Sequence, residues 1–190
     1  MIKAVYPLWF LLLFYSMQAT AQQQKDSALF NSINRLFSKV ESDILTTADA
    51  MPEANFNFTP DSLHLQGAAF DGVRSFAGQI MHLATDNMLM WSAINNQPLS
   101  YKIEDVNGPK NITGKTAVMQ YLKASFDIGR KAIQSITEKN LTTLMQYRWR
   151  KLSKLDLAFY GIVHANEHYG QMVVYLRMCG IVPPPTKAEK

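Results

Sequence analysis

Apolar residues recur near a 3.6-residue period in four separate stretches, and this repetition limits the fold more than any other feature of the sequence. Leu29, Phe30, Ile33, Leu36, Phe37, Val40, Ile44 and Leu45 follow Asp26-Ser27. They predict an amphipathic helix capped at that dipeptide, running to about Ala50 and ended by Pro52. Val73, Phe76, Ile80, Leu83, Met88, Met90 and Trp91 predict a second helix from about Gly72 to Ala93, with its Met and Trp side chains as core. A third starts near Gly114 or Lys115 and carries Val118, Tyr121, Leu122, Phe126 and Ile133. Ser153 caps a fourth, with Leu155, Leu157, Ile162, Ala165, Met172, Val173 and Leu176, stopped by Gly180 and Pro183-Pro184-Pro185.

Four helices of about 20 residues, each about 30 Å long, make an all-α four-helix bundle the economical architecture. The stretch Asn95 to Gly114, with Pro98 and Asn107-Gly108-Pro109, reads as a long connection between the second and third helices. It can cross the length of a bundle and leave those two helices parallel. The other connections are long too, including the polar, aromatic one through Phe56, Phe58 and Pro60, so length alone leaves the topology open. Alternation of the β kind is confined to a short piece at Ser100 to Ile103, and there is no internal repeat.

The first 21 residues have a different character. Lys3 precedes an apolar run from Ala4 to Phe14, and the segment ends in Ala19-Thr20-Ala21. A basic start, a short apolar middle and an A-x-A ending form a secretory signal peptide, and the run is well short of the roughly 20 residues of a membrane span. Cleavage after Ala21 is expected, giving one mature domain, residues 22–190, that is periplasmic or secreted and has no membrane span. Loss of Lys3 lowers the formal charge from +4 to +3. A single cysteine, Cys179, excludes a disulfide framework. Basic residues concentrate only at Arg148-Trp149-Arg150-Lys151 and Lys154, which read as a solvated loop or helix start. No broad basic face exists for nucleic acid.

His164 and His168 are the most specific feature. Four apart on a helix, they lie about 40° apart around the axis and one turn apart along it, a spacing at which two imidazoles share a metal ion. His82, in the second predicted helix, is available as a third ligand across a bundle core. His64 falls in an irregular polar stretch and reads as an exposed loop residue. His164-Ala165-Asn166-Glu167-His168 also spells the H-x-x-E-H protease motif, but only Glu189 follows as a further acid, and Glu167 points toward the flank of the bundle. Asp86 shares the face of His82, as a fourth ligand, an acceptor orienting an imidazole, or a solvated acid. Cys179 lies about 16 Å past His168 along the helix, too far for the same metal.

The stretch Val73-Arg74-Ser75-Phe76-Ala77-Gly78-Gln79-Ile80-Met81-His82-Leu83-Ala84 and the stretch from His164 through Arg177 into Gly180-Ile181-Val182-Pro183-Pro184 closely resemble the DinB-like proteins. Phe58-Thr59-Pro60 and Tyr121 to Asp127 also look like family segments. The resemblance implies a four-helix bundle in up-down-down-up order, with a long crossover between the second and third helices. It also implies a divalent metal held by His82, His164 and His168, the trio that spacing alone suggests. The family is similar to thiol-dependent transferases and isomerases that use bacillithiol or mycothiol, and many members resemble those enzymes in fold and ligands without a known reaction. The signal peptide departs from that picture, because such thiols are cytosolic.

The expected function is therefore an exported metal-binding protein, with zinc or nickel foremost among the metals imidazole accepts, acting on a small molecule as a hydrolase or group transferase. Asp86, Asn87, Tyr160 and Tyr169 are the candidates for supporting the ligands or touching substrate. The alternative is a non-catalytic metal-binding or dimerising bundle, which a fourth protein ligand such as Asp86 would favour.

Overall fold

The computed structural model describes residues 8–184 except 98, 100–102 and 104, with side chains from residue 28 onward. Helix α1 (Leu8–Ala50) is followed by two short 3-10 turns, Glu53–Asn55 and Pro60–Leu63, then by α2 (Phe76–Asn95) and α3 (Lys115–Ser135). Strands β1 (Leu144–Tyr147) and β2 (Arg150–Ser153) form an antiparallel hairpin leading directly into α4 (Lys154–Met178). Among the described residues no helix is long and apolar enough to cross a membrane.

Each helix of the bundle is bounded by recognisable chemistry. Ser75 caps α2 by accepting a hydrogen bond from the Gly78 N–H, and Asn96 ends it in a left-handed conformation. Lys115 opens α3 and donates Nζ to the carbonyls of Asp49 and Met51, tying that end to the C-terminal carbonyls of α1. Ser153 and Asp156 form a reciprocal capping box on α4. That helix ends in a Schellman arrangement, in which Ile181 N–H reaches Leu176 O and Gly180 N–H reaches Arg177 O, with Gly180 at φ 74°.

Contacts along the helices fix their directions. Thr85 meets Tyr121, Asn87 meets Ser125 and Trp91 meets Gly129, so α2 and α3 run parallel. Tyr175 meets Arg74, His168 meets Gln79 and Gly161 meets Trp91, so α4 is antiparallel to α2. Glu41 pairs with Arg130 and Met51 with Lys115, so α1 is antiparallel to α3. The order is up-down-down-up, as the family resemblance implies.

The core is dry and aromatic at one level. The Phe37 ring stands edge-on to Trp91 at 5.5 Å and to Phe126 at 5.8 Å. Both Phe37 and Trp91 are almost fully buried. A Cβ on Gly161 would lie 2.5 Å from the indole, and one on Gly129 2.7 Å from the Phe37 ring. These two glycines are what lets α3 and α4 close on the large rings.

Two local expectations change. Helix α1 starts at Leu8 and not at Asp26-Ser27, which lie inside it. After Pro7 no glycine or proline interrupts the chain before Pro52, and the capping preference of one Asp-Ser pair does not stop a propagating helix. The basic stretch from Arg148 is exposed, and Lys154 does open α4, but Arg148 to Lys151 form the turn and second strand of a hairpin that the sequence reading did not expect. Of β1, only Tyr147 is buried, so the strand shows no apolar alternation to read. The short extended piece expected at Ser100 to Ile103 lies outside the described residues apart from Ile103.

Candidate metal centre

The α2–α4 seam places Gln79, His82 and Asp86 on one face of α2 and His164 and His168 on the facing side of α4, each set at helical spacings of three and four. His164 and His168 are buried, and Asp86 is only 4% exposed. The imidazole centroids are separated by 5.5 Å (His82 to His164), 5.0 Å (His82 to His168) and 4.6 Å (His164 to His168). One ring nitrogen from each residue falls within 4.8 Å of the other two. No other described group of three or more His, Cys, Asp or Glu residues converges in this way.

Hydrogen bonds decide which nitrogens face inward. His82 Nδ1 lies 2.8 Å from the Val106 carbonyl, and His168 Nδ1 lies 2.9 Å from Gln79 Oε1. Both partners are acceptors, so each Nδ1 carries the proton and donates, and each Nε2 is left with a lone pair. His164 Nε2 sits 3.2 Å from His168 Nε2. For nitrogens 2.0–2.1 Å from a tetrahedral metal, neighbouring ligand atoms are about 3.3 Å apart. His164 and His168 therefore already stand at ligand spacing. His164 Nδ1 is buried without a partner, so the proton that metal binding would send there meets no acceptor in the arrangement described. The donor set fits a divalent transition metal, with two of three imidazoles backed by an oxygen that fixes their tautomer.

Electrostatics keep the His164 and His168 imidazoles neutral. Burial, and then the neighbouring imidazoles His164 and His82, push His168 down to about 3. Burial lowers His164 too, against the opposing charge of Asp86. A neutral imidazole is the form that ligates.

Asp86 joins this site to the hairpin. Its Oδ1 accepts from the Arg148 guanidinium, while Oδ2 lies 3.6 Å from His164 Nε2 and 3.9 Å from His82 Nε2. These separations are outside hydrogen-bond range, so the carboxylate stands beside the imidazoles without bonding to them. The Tyr160 ring stacks on His164 at 6.1 Å, and Tyr147 lies 6.2 Å beyond it. Burial, and then the Asp86 charge, push the Tyr147 phenol up.

The other sequence candidates lie elsewhere. Asn87 is fully buried and donates to Ser125 Oγ on α3, because five residues after His82 a helical side chain has turned well away from it. Tyr169 is half-buried against the hydrophobic core. His64 is exposed at φ 48°, Glu167 is exposed on the flank, and Cys179 is half-buried at the C-terminal end of α4, its thiol pushed up by burial. Sequence reasoning missed Gln79 and Arg148. Gln79 precedes His82 by three residues on the same face and was findable by asking what orients an imidazole. Arg148 is 62 residues from Asp86 in a turn, and no periodicity links them.

A helical bundle whose antiparallel α2–α4 seam brings three histidines together is the class that fold and site define. The DinB superfamily model matches residues 36–172, a span that includes all three, and the chain belongs to that superfamily. No curated protein matches the sequence. Among solved structures, it is similar to a DinB-like protein from Bacillus cereus, with a TM-score of 0.61 and 18% identity over 81% of this chain and 95% of that one. It is also similar to a conserved protein from Enterococcus faecalis, with a TM-score of 0.60 and 19% identity over 77% and 94%. A DinB-like protein from Bacillus subtilis gives 0.54 and 18% over 78% and 92%. At these identities the likeness is one of fold.

Proposed function

We propose that this DinB-superfamily protein is exported after cleavage behind Ala21 and holds a divalent transition metal, zinc or nickel, through His82, His164 and His168, acting on a small molecule by hydrolysis or group transfer. The observation that carries the metal reading is the convergence of three imidazoles, two of them with Nδ1 bound to an oxygen so that Nε2 is the free donor. A metal there supplies Lewis acidity toward a substrate oxygen or activates water. The chain's own groups do the rest: Val106 and Gln79 orient ligands, and Arg148 holds Asp86 beside the centre. Asp86 Oδ2, at the edge of the centre, is placed to accept a proton from a molecule bound beside the imidazoles.

The second reading, a metal-binding bundle without catalysis, draws on the same carboxylate, which could close the centre as a fourth ligand. The pairing of Asp86 with Arg148 favours the open site. X-ray absorption of zinc-loaded protein separates the two by counting protein ligands, with Asp86→Asn changing the count only if Asp86 binds metal.

The decisive test is elemental analysis of natively produced protein, followed by calorimetric titration of zinc and nickel into metal-stripped wild type and single variants. His82→Ala, His164→Ala and His168→Ala should each weaken binding at least about 100-fold, a difference of about 2.7 kcal/mol. His64→Ala should leave it unchanged. A folded His82→Ala protein binding metal as tightly as wild type would defeat the three-histidine centre. Intact mass of the exported protein should correspond to a chain starting at Gln22.

A further inference from the structure

The hairpin turn brings groups to the edge of the centre that metal binding does not use. Tyr147, Arg148, Trp149, Arg150 and Tyr160 line a cleft of about 110 Å³. Its Tyr160 wall is the ring that stacks on His164, so the cleft opens beside the trio. Tyr147 is 6% exposed and its hydroxyl is buried without a hydrogen-bond partner. The Arg148 guanidinium stands beside this phenol, so the inner wall of the cleft is polar as well as aromatic.

The turn itself is built at a cost. Tyr147 pairs with Arg150 across a two-residue turn, and Arg148 occupies it at φ 52°, a left-handed conformation that favours glycine. A non-glycine residue held there is strained, and such strain concentrates at functional sites. Arg148 faces inward to Asp86. Arg150 stacks on Trp149 at 5.6 Å and has no carboxylate partner among the described residues. The Asp86 and Arg148 charges offset one another, which leaves the Arg150 guanidinium as the uncompensated charge of the cleft. A divalent metal in the adjoining trio would add to the same sign.

Three aromatic rings and a free guanidinium make a definite recognition chemistry. Arginine pairs with carboxylate or phosphate through a planar fork, and ring faces take a flat apolar body. A closed cavity of about 150 Å³ admits benzene, so this smaller, open cleft seats the edge of one planar group and not a nucleotide-sized cofactor. We propose that the cleft binds the anionic end of a small planar molecule, a carboxylate or phosphate on a flat apolar body, with Arg150 pairing the anion and Trp149 and Tyr160 flanking the body. This rests on the reading that the trio serves chemistry on a small molecule, and it names the class of that molecule.

The test uses metal-stripped full-length protein titrated with benzoate, phenyl phosphate and neutral benzamide by calorimetry, with the emission change that Trp149→Phe removes locating the ligand. Benzoate or phenyl phosphate should bind saturably, and the stronger of the two identifies the anion. Benzamide should bind at least about fivefold more weakly, and Arg150→Gln should weaken the anion by a similar factor, the scale of one partly exposed charge pair. Arg150 is exposed, so this variant should retain wild-type helicity by circular dichroism. Equal affinity in Arg150→Gln, equal affinity for benzamide, or no binding of either anion overturns the proposal. The same titration in His82→Ala separates it from the metal reading. Arg150-dependent binding that survives there upholds the cleft even if metal content defeats the centre.

Discussion

Where Trp91 meets Gly161, helices α2 and α4 close on each other with no room for a methyl group; about two and a half turns toward the start of α2, the same two helices face each other across three imidazoles, a carboxylate and an amide. The first level is held by shape. Removing one Cβ from α4 and one from α3 makes a slot that the indole and the Phe37 ring fill, and the unpartnered indole N–H is tolerated there. The second level is held by direction. Three of its polar groups are aimed from different places: His82 by the Val106 carbonyl in the connection after α2, His168 by the Gln79 side-chain oxygen near the start of α2, and Asp86 by the Arg148 guanidinium that donates to it from the hairpin. The difference teaches a division of labour within one seam, in which volume at the dry level sets the spacing that polar contacts at the wet level then refine.

The comparison breaks most sharply if the dry level is emptied. Trp91→Ala should cost about 3–5 kcal/mol of folding stability, since a nearly fully buried indole leaves a cavity that its glycine neighbours cannot refill. Chemical denaturation measures this. If the slot only sets spacing, zinc affinity of the folded variant at low temperature should stay within about threefold of wild type, a difference below 1 kcal/mol. A collapse of affinity with helicity retained would show that the two levels are not separable.

A smaller effect sharpens the wet level. Gln79→Leu preserves bulk but removes the acceptor on His168 Nδ1, so the ring loses the hydrogen bond that fixes its tautomer. Metal affinity should fall about tenfold or somewhat more, the scale for a group that orients a ligand. Calorimetric zinc titration of Gln79→Leu beside wild type reads the change. Stability should drop by about 1–3 kcal/mol as well, because the buried Nδ1–H loses its partner.

How much of this was legible in the sequence follows from the same contrast. Features that depend on helical period were readable: the four bundle helices, the Ser153 cap, and the placing of His82 opposite His164 and His168. The Trp91 slot was half readable, since the indole was assigned to the core but nothing marked Gly129 and Gly161 as its receivers across two other helices. Asn87, a candidate by its closeness to His82 along the chain, sits at a different angle around the helix and serves the α2–α3 contact with Ser125. The hairpin was missed outright, since Leu144 and Arg150 are exposed and its single buried residue, Tyr147, makes no pattern. With it went Arg148 and the aiming of Asp86. Contacts set by turns and by pairing across 62 residues carry no periodic signature.

The smallest predicted effect is a slope in pH that belongs to the wet level alone. Burial lowers His168 to about 3 and lowers His164 from its ordinary 6.5, whereas in the unfolded chain both titrate near 6.5. Between those limits the unfolded state binds more protons than the folded one, so the stability of metal-stripped protein must fall as pH falls. The contribution is fully present above about 6.5 and is lost progressively below it, flattening only where folded His168 itself takes up a proton near 3. Each histidine contributes a slope of at most about 1.4 kcal/mol per pH unit, and about 1 kcal/mol per unit is expected between pH 5 and 6. Urea denaturation of metal-stripped protein at closely spaced pH values reads the slope directly. His168→Gln, which cannot be charged, should flatten it, while Trp91→Ala should shift the whole curve down without changing its steepness. An unaltered slope in His168→Gln would remove His168 as a source of the acid sensitivity and overturn the buried, neutral imidazole assigned to it.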